Sequence, residues 1–206
     1  MPLNVVDHPL AQHLLAGLRD KSTPPEVFRR LSWNLTTMLV IEATRSIKSE
    51  HRSIVTPIKT TDGQILTEGL AVVPVLRAGL GMLEPVVQMF PDVAVGYIGL
   101  ERNEDTAVAR SYYSKLPDLS NRYTLCVDPM LATGGSAAQA VSLIKSHGAK
   151  TVVMVCVVAA PEGVSRLETS HPGIQIYTAA LDEGLNEKHY IVPGLGDFGD
   201  RLYGTF

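Results

Sequence analysis

A single acid, Asp128, closes the apolar run YTLCV (123–127), and after Pro129, Met130 and Leu131 the chain drops into Ala132, Thr133, Gly134, Gly135 and Ser136. Glycines at 134 and 135 allow a tight turn and a close approach of backbone to a ligand. With a helix opening at this point, residues 132–136 present successive N–H groups at its positive end, where an anion is favoured. The hydroxyls of Thr133 and Ser136 can donate as well. The stretch reads as a phosphate cradle. The GxxxxGK[ST] spacing and its lysine are missing, so a terminal monophosphate suits it better than a triphosphate chain. A carboxylate accepts hydrogen bonds from two vicinal hydroxyls, so Asp128 beside the cradle points to a ribose with its 5-phosphate in the loop. The plainer alternative is a helix N-cap loop with a turn aspartate ahead of proline.

Arg77 and Arg102 each follow another apolar run. Guanidinium groups grip phosphate oxygens bidentately. Two of them at strand ends beside the cradle imply a second, more anionic group beyond the ribose. Residues 101–122 carry Arg102, Arg110, Lys115 and Arg122 with Tyr112 and Tyr113 and no core pattern. A connection of that length reads as a lid. Near the C-terminus GLGDFG (194–199) matches GxGxxG, yet only seven residues follow Gly199, too few to complete a dinucleotide fold. DFG lacks the kinase loops that would give it meaning. What remains is a glycine-rich segment able to wrap a flat ligand, with the ring of Phe198 or Tyr190 available to stack on it.

These residues need a frame. LAVVPV (70–75), VAVGYIGL (93–100), YTLCV (123–127), TVVMVCVVA (151–159) and IQIYTA (174–179) are apolar on both faces, as buried parallel strands are. Helical segments at 79–89, 135–147 and 162–170 alternate with them, and Gly148 stands where a helix C-cap belongs. The expected fold is α/β: an open, mostly parallel sheet flanked by helices, with ligands at the carboxyl ends of the strands. Upstream, Leu10, Leu14, Leu15 and Leu18 mark a short amphipathic helix. A capping box, Thr23-Pro24-Pro25-Glu26, starts a second one that carries Val27, Leu31, Leu35, Met38 and Leu39 on one face and runs to about Arg45. Residues 53–67 read as a hairpin turning at Thr61-Asp62-Gly63.

The whole chain bounds the function. Its 206 residues, 45% of them apolar, suit one domain with a full core. A net charge of -3 argues against nucleic acid as a partner. Cys126 and Cys156, both in apolar runs, read as reduced core thiols. No signal peptide is evident, and the longest apolar run, 152–160, falls short of the roughly 20 residues that span a bilayer. A soluble cytoplasmic protein without a membrane partner is expected.

CVDPMLATGGS (126–136), PVLRAGLGM (74–82), ERNED (101–105), VAAPEG (158–163), DEGLNEKHYIVPGLGDFGD (182–200) and the closing YGTF, with HPL at 8–10, together resemble the uracil phosphoribosyltransferase family. The resemblance spans essentially the whole chain. It implies a phosphoribosyltransferase-like fold in one domain, 1–206. That fold has an N-terminal helical segment, a β-hairpin and lid, and a small C-terminal hood from about 180. The implied activity is transfer of the 5-phosphoribosyl group from 5-phosphoribosyl 1-diphosphate to uracil, giving UMP and pyrophosphate in pyrimidine salvage. Asp128, Pro129, Met130, Leu131, Ala132, Thr133, Gly134, Gly135 and Ser136 would hold the ribose 5-phosphate. Arg77 and Arg102 would hold the diphosphate, with Asp128 and Arg77 the catalytic pair. Ile191, Gly196, Asp197 and Phe198 would receive uracil, chiefly through backbone groups, and Asp197 would also reach the phosphoribosyl substrate. Mg²⁺ would ride on the diphosphate, held mainly by substrate oxygens and water. A homo-oligomer (dimer or tetramer) and, as in some members, a GTP effector are further implications.

Three departures from the family pattern stand out: Glu101 where many members have Tyr, TAVARSYY (106–113) without the usual prolines, and Phe198 for a frequent Ala. The main rival is a regulator of the same fold that senses nucleotides or binds RNA. It needs a basic face, and RSIKSEHR (45–52) is the one dense basic stretch. A transferase for another base is the second rival.

Overall fold

The computed structural model describes residues 3–102 and 109–205, without the side chains of residues 101, 102 and 109–111. An edge strand β1 (Leu3–Val5) leads into α1 (Pro9–Arg19) and α2 (Pro25–Ala43). A hairpin follows, β2 (Ser49–Val55) with β3 (Thr60–Leu66). The core strand β4 (Gly69–Leu76) then passes through a 3₁₀ turn (Ala78–Met82) into α3 (Leu83–Met89). Strands β5 (Ala94–Val95), β6 (Tyr97–Arg102), β7 (Ala109–Lys115), β8 (Arg122–Val127) and β9 (Met130–Leu131) come next. The chain finishes with α4 (Gly135–Ser146), β10 (Thr151–Ala159), α5 (Pro161–Ser170), β11 (Gln175–Leu181), the short strands β12 (Gly184–Leu185) and β13 (Ile191–Val192), and α6 (Phe198–Tyr203).

The nine-stranded sheet has the order β1-β11-β10-β8-β4-β6-β7, with β5 beside β4 and β9 beside β10. All its pairings are parallel except β6 with β7. Strand periodicity sends alternate residues to opposite faces. On β10, Val153, Val155 and Val157 join the core under α1, α2, α3 and α6. Val152, Met154 and Cys156 join the core under α4 and α5. Two buried faces explain the unbroken apolar runs in the sequence. Burial also pushes both thiols up, Cys156 to about 12, so Cys126 and Cys156 sit in the core as protonated, inert groups.

The chain leaves β4 toward β6 on one side and leaves β8 toward β10 on the other. The sheet thus reverses direction between β4 and β8, and a crevice opens at their carboxyl ends, the ligand position of such sheets. The loops carrying Arg77 and Asp128 flank it.

Three local expectations need correction. The hairpin pairs Ser49–Val55 with Thr60–Leu66, so Asp62 and Gly63 lie inside β3 opposite Ser53 and Arg52. The turn is Thr56-Pro57-Ile58-Lys59. Pro57 sets the turn φ, and the Thr56 hydroxyl accepts the N–H groups of Ile58 and Lys59 at 3.2 and 3.1 Å, a local signal stronger than Asp-Gly here. Second, the Thr23 box does not form: Pro24 occupies the N-cap, and the Thr23 hydroxyl donates to the Gly17 carbonyl at 2.6 Å, tying the loop to α1. Third, the buried stripe of α2 includes Phe28 and Val40 rather than Val27, and Leu10 on α1 is exposed.

Candidate active site

Strand β8 ends at Val127, and the chain steps out of the sheet for two residues only. The Asp128 N–H donates to the Val155 carbonyl at 3.2 Å, and the buried Pro129 carbonyl accepts from the N–H groups of Val157 and Val158 at 2.9 and 3.1 Å. Met130 and Leu131 then return to pair with Val158 and Ala159. This excursion holds the Asp128 carboxylate at the carboxyl end of the central strands. Burial pushes its carboxyl up to about 7, offset in small part by the Met130 N–H at 3.4 Å. Incoming hydroxyl donors would favour the ionised form.

Gly134 has φ 75° and caps α4, whose first turn aims N–H groups outward. A Cβ on Gly134 would lie 2.7 Å from the carbonyl oxygen of Gly163. A Cβ on Gly163 would in turn lie 2.5 and 2.6 Å from the carbonyl oxygens of Ala132 and Leu131. The cradle is therefore moulded on the first turn of α5, backbone against backbone. Sequence reasoning missed Gly163, because no periodicity marks a contact between loops 30 residues apart; only the VAAPEG match flagged it. The Arg166 guanidinium of α5 lies 3.4–3.6 Å from the Cβ position of Gly135 and adds positive potential there. A recess of about 90 Å³ runs along Asp128, Thr133, Gly134 and Ser136.

That recess meets a wider cleft of about 320 Å³ at Asp128, Met130 and Ala132. The far wall of the cleft is Tyr190, Ile191, Gly196, Asp197 and Phe198, so all four residues expected at the base position border it. Lys188 and His189 border it too and were not expected; His189 has φ 61°, unusual for a residue with a side chain. Asp197 also caps α6, its Oδ1 accepting the Asp200 N–H at 2.9 Å.

Phe198 does not offer its ring to the cleft. The residue is 1% exposed, and its ring meets Phe28 edge-on at 5.2 Å between centroids, so the ring is packed into the core and is not available to stack on a ligand. Tyr190, half exposed, remains the aromatic at the cleft. Phe198→Ala is accordingly expected to lower stability by about 3–5 kcal/mol. The ligand preference of the folded fraction should be retained, since the ring takes no part in the cleft. Urea unfolding checks the first part; an unchanged midpoint would show that the ring is not part of the core.

Arg77 follows β4 on the other side of the crevice. It is exposed, and its neighbour Ala78, not Arg77 itself, borders the cleft. Tyr203 Oη donates to the Arg77 carbonyl at 3.5 Å. Arg102 ends β6, but its side chain lies outside the described residues, as do residues 103–108 of the stretch 101–122 expected to form a lid. Ala109–Lys115 form β7, an antiparallel partner of β6. Among the described residues no cluster of three or more His, Cys, Asp or Glu side chains could hold a metal ion.

With that geometry in view, comparisons with known proteins converge. The family model described as uracil phosphoribosyltransferase matches residues 5–205. A uracil phosphoribosyltransferase of Dictyoglomus turgidum is 49% identical over 203 residues, 98% of each chain. A solved structure of a protein from Aquifex aeolicus superposes with a TM-score of 0.92 at 40% identity, covering 98% of this chain and 97% of that one. A phosphoribosyltransferase from Corynebacterium diphtheriae shares the fold at 16% identity and a TM-score of 0.52, over 82% of this chain and 93% of that one.

Proposed function

Because the chain belongs to the uracil phosphoribosyltransferase family, we propose that its recess and cleft hold 5-phosphoribosyl 1-diphosphate and uracil side by side, with Asp128 at the junction. The chain is an enzyme of the pentosyltransferase class: it joins the 5-phosphoribosyl group to uracil and releases pyrophosphate. The observation that carries the site assignment is the meeting of a small anion-suited recess with a larger cleft at one half-buried carboxylate. A nucleotide has that shape, with its phosphate on the cradle, ribose at Asp128, and base along Ile191, Gly196, Asp197 and Phe198.

In this reading the C1–oxygen bond of the ribose breaks, and its electron pair leaves with the diphosphate. Uracil N1 forms the new bond to C1 and releases its proton. Positive charge develops on the ribose ring and negative charge on the leaving group. Fixing the 5-phosphate in residues 132–136 and the ring hydroxyls on Asp128 places C1 against the base nitrogen. Arg77 and Arg102 stabilise the departing diphosphate. No side-chain nucleophile is required. The donor set suits a Mg²⁺ that would be carried mainly by the substrate, on diphosphate and water oxygens, with the Asp128 carboxylate left to the ribose hydroxyls. Mg²⁺ bound in that way supplies charge neutralisation on the leaving group.

Uracil presents an N3–H donor between two carbonyl acceptors. Backbone groups of Ile191, Gly196 and Phe198 are the readers in this account, since Asp197 is committed to its cap and the ribose side. A mismatched base leaves buried polar groups unpaired, at roughly 1–3 kcal/mol each.

A homo-oligomer, dimer or tetramer, belongs to the same reading. The projecting β2–β3 hairpin supports it, with Val55 84% and Ile58 90% exposed at its tip. A GTP effector is carried over from the resemblance, and a cytoplasmic setting and a single domain over 1–206 from the reading of the sequence. Among the described residues no helix is long and apolar enough to cross a membrane. The RNA-binding alternative is not favoured: in its basic stretch Arg45 pairs with Glu42 and Arg52 with Glu50. Incubation with uracil, 5-phosphoribosyl 1-diphosphate and Mg²⁺ should give UMP and pyrophosphate in equal amounts; no UMP would refute the activity.

Arg77→Ala separates the diphosphate from the cradle. Affinity for 5-phosphoribosyl 1-diphosphate and pyrophosphate should fall roughly 10-fold or more, the loss of a charged hydrogen bond, with little change for ribose 5-phosphate. Equal losses for all three ligands in a titration would make Arg77 a structural residue.

A further inference from the structure

The loop that borders the cleft is held from behind by a pair that takes no part in the chemistry. Arg19, at the end of α1, forms a bidentate ion pair with Asp182, at 2.6 and 2.9 Å. The Asp182 side chain is 4% exposed. The pair does not stop at itself. Arg19 Nη1 donates to the Gly194 carbonyl at 2.7 Å, and the Gly194 N–H donates to Asp182 Oδ2 at 2.9 Å. The N–H and the carbonyl of one residue, in the two peptide units that flank its Cα, thus end on the two partners of a single ion pair. Gly194 admits no side chain: its φ is 58°, and a Cβ would lie 2.2 Å from the Ile191 carbonyl oxygen. The next carbonyl, Leu195, is taken by Arg201 Nη1 at 2.8 Å, and Arg201 also donates to the carbonyls of Leu18 and Asp20. Gly196 and Asp197 follow at once and border both the cleft and the pocket of about 380 Å³ behind it, so the loop is a thin wall between them.

We propose that Arg19 and Asp182 are positioning residues for the base. By fixing the two peptide units that flank Gly194 they set the angle at which residues 196–198 turn their backbone groups toward the cleft. The inference rests on the assignment of uracil to that cleft. A buried ion pair by itself is weak ground for stability, because desolvation of the charges offsets their attraction. Its use here is directional: a planar guanidinium fork and a carboxylate fix a peptide plane in a way that apolar packing cannot.

Two variants decide it. In Arg19→Lys one ammonium replaces the fork that serves both Asp182 and the Gly194 carbonyl. The KM for uracil should rise roughly 10-fold, as for a lost charged hydrogen bond, and the uracil-over-cytosine ratio in kcat/KM should fall. The KM for 5-phosphoribosyl 1-diphosphate and kcat at saturating uracil should stay within about twofold, since the cradle sits on other strands. The double variant Arg19→Met, Asp182→Leu replaces the pair by apolar groups, which restores the melting temperature if burial was the only difficulty. Positioning predicts a uracil KM that stays raised in this folded, stable protein. A wild-type uracil KM in the double variant, or parallel rises in both substrate KM values in either variant, would overturn it. If Arg19→Lys does not fold, the double variant decides alone. A wild-type protein that forms no UMP would instead fail the assignment of function, a result separable from both.

Discussion

Asp128→Asn is expected to lower kcat/KM by about 10- to 100-fold, the cost of one charged hydrogen-bonding group in a closed site, while leaving the free protein at least as stable as the wild type above neutral pH. The two effects have one cause. The half-buried carboxyl at the end of β8 has its pKa pushed up to about 7 by desolvation, against roughly 3.9 in an unfolded chain. Between those values the folded state keeps a proton that the unfolded state has lost. Stability from this group is therefore fully present below about pH 4 and is lost as pH rises through about 7. Asparagine does not titrate, so the difference between variant and wild type should favour the variant more at pH 8 than at pH 5. Activity runs the other way. The ionised carboxylate is the better acceptor for two ribose hydroxyls, so kcat/KM for the phosphoribosyl substrate should climb through about pH 7 in the wild type. Denaturant midpoints and steady-state rates at both pH values check the pair. Wild-type kcat/KM in the variant would mean that Asp128 does not hold the ribose. A stability difference independent of pH would mean that burial does not strain its carboxyl.

Gly134→Ala is expected to weaken the phosphoribosyl substrate by a comparable factor through geometry alone. A residue with a Cβ at φ 75° costs roughly 1–2 kcal/mol. That Cβ also falls 2.7 Å from the Gly163 carbonyl oxygen, a backbone atom in the first turn of α5 that no side-chain rotation can move aside. Either α5 or the cradle must shift, and the N–H groups at the start of α4 shift with the cradle. Gly173 supplies the control: its φ is 81°, but nothing lies within 4 Å of a Cβ there. Gly173→Ala should cost stability and leave kinetics alone. Equal kinetics for Gly134→Ala and wild type would remove the cradle from the account.

The readable parts of this protein were those written in local pattern. Apolar runs on β8 and β10 announced a sheet buried on both faces, and Gly134-Gly135 after Asp128 announced a turn into a helix. What stayed hidden depends on partners far along the chain. Gly163 looks like any helix glycine until α5 is laid on the cradle. Arg19 and Asp182 are 163 residues apart, and although Asp182 opens the 182–200 stretch, nothing local to either residue announces the other. Phe198, read as a stacking ring from its place in a glycine-rich loop, is claimed by Phe28 on α2. The Asp62-Gly63 signal lost to Thr56-Pro57 because register in a two-stranded hairpin follows the stronger turn, and β2 and β3 are too exposed for burial to correct it.

The site assignment itself meets its most direct test in a crystal structure of the UMP complex. The account predicts the phosphate within hydrogen-bonding distance of the N–H groups of residues 133–136. It places both ribose hydroxyls on the Asp128 carboxylate and the uracil edge on backbone atoms of Ile191, Gly196 and Phe198. A phosphate bound away from the α4 N-terminus, or a base that meets side chains rather than that backbone, would contradict it.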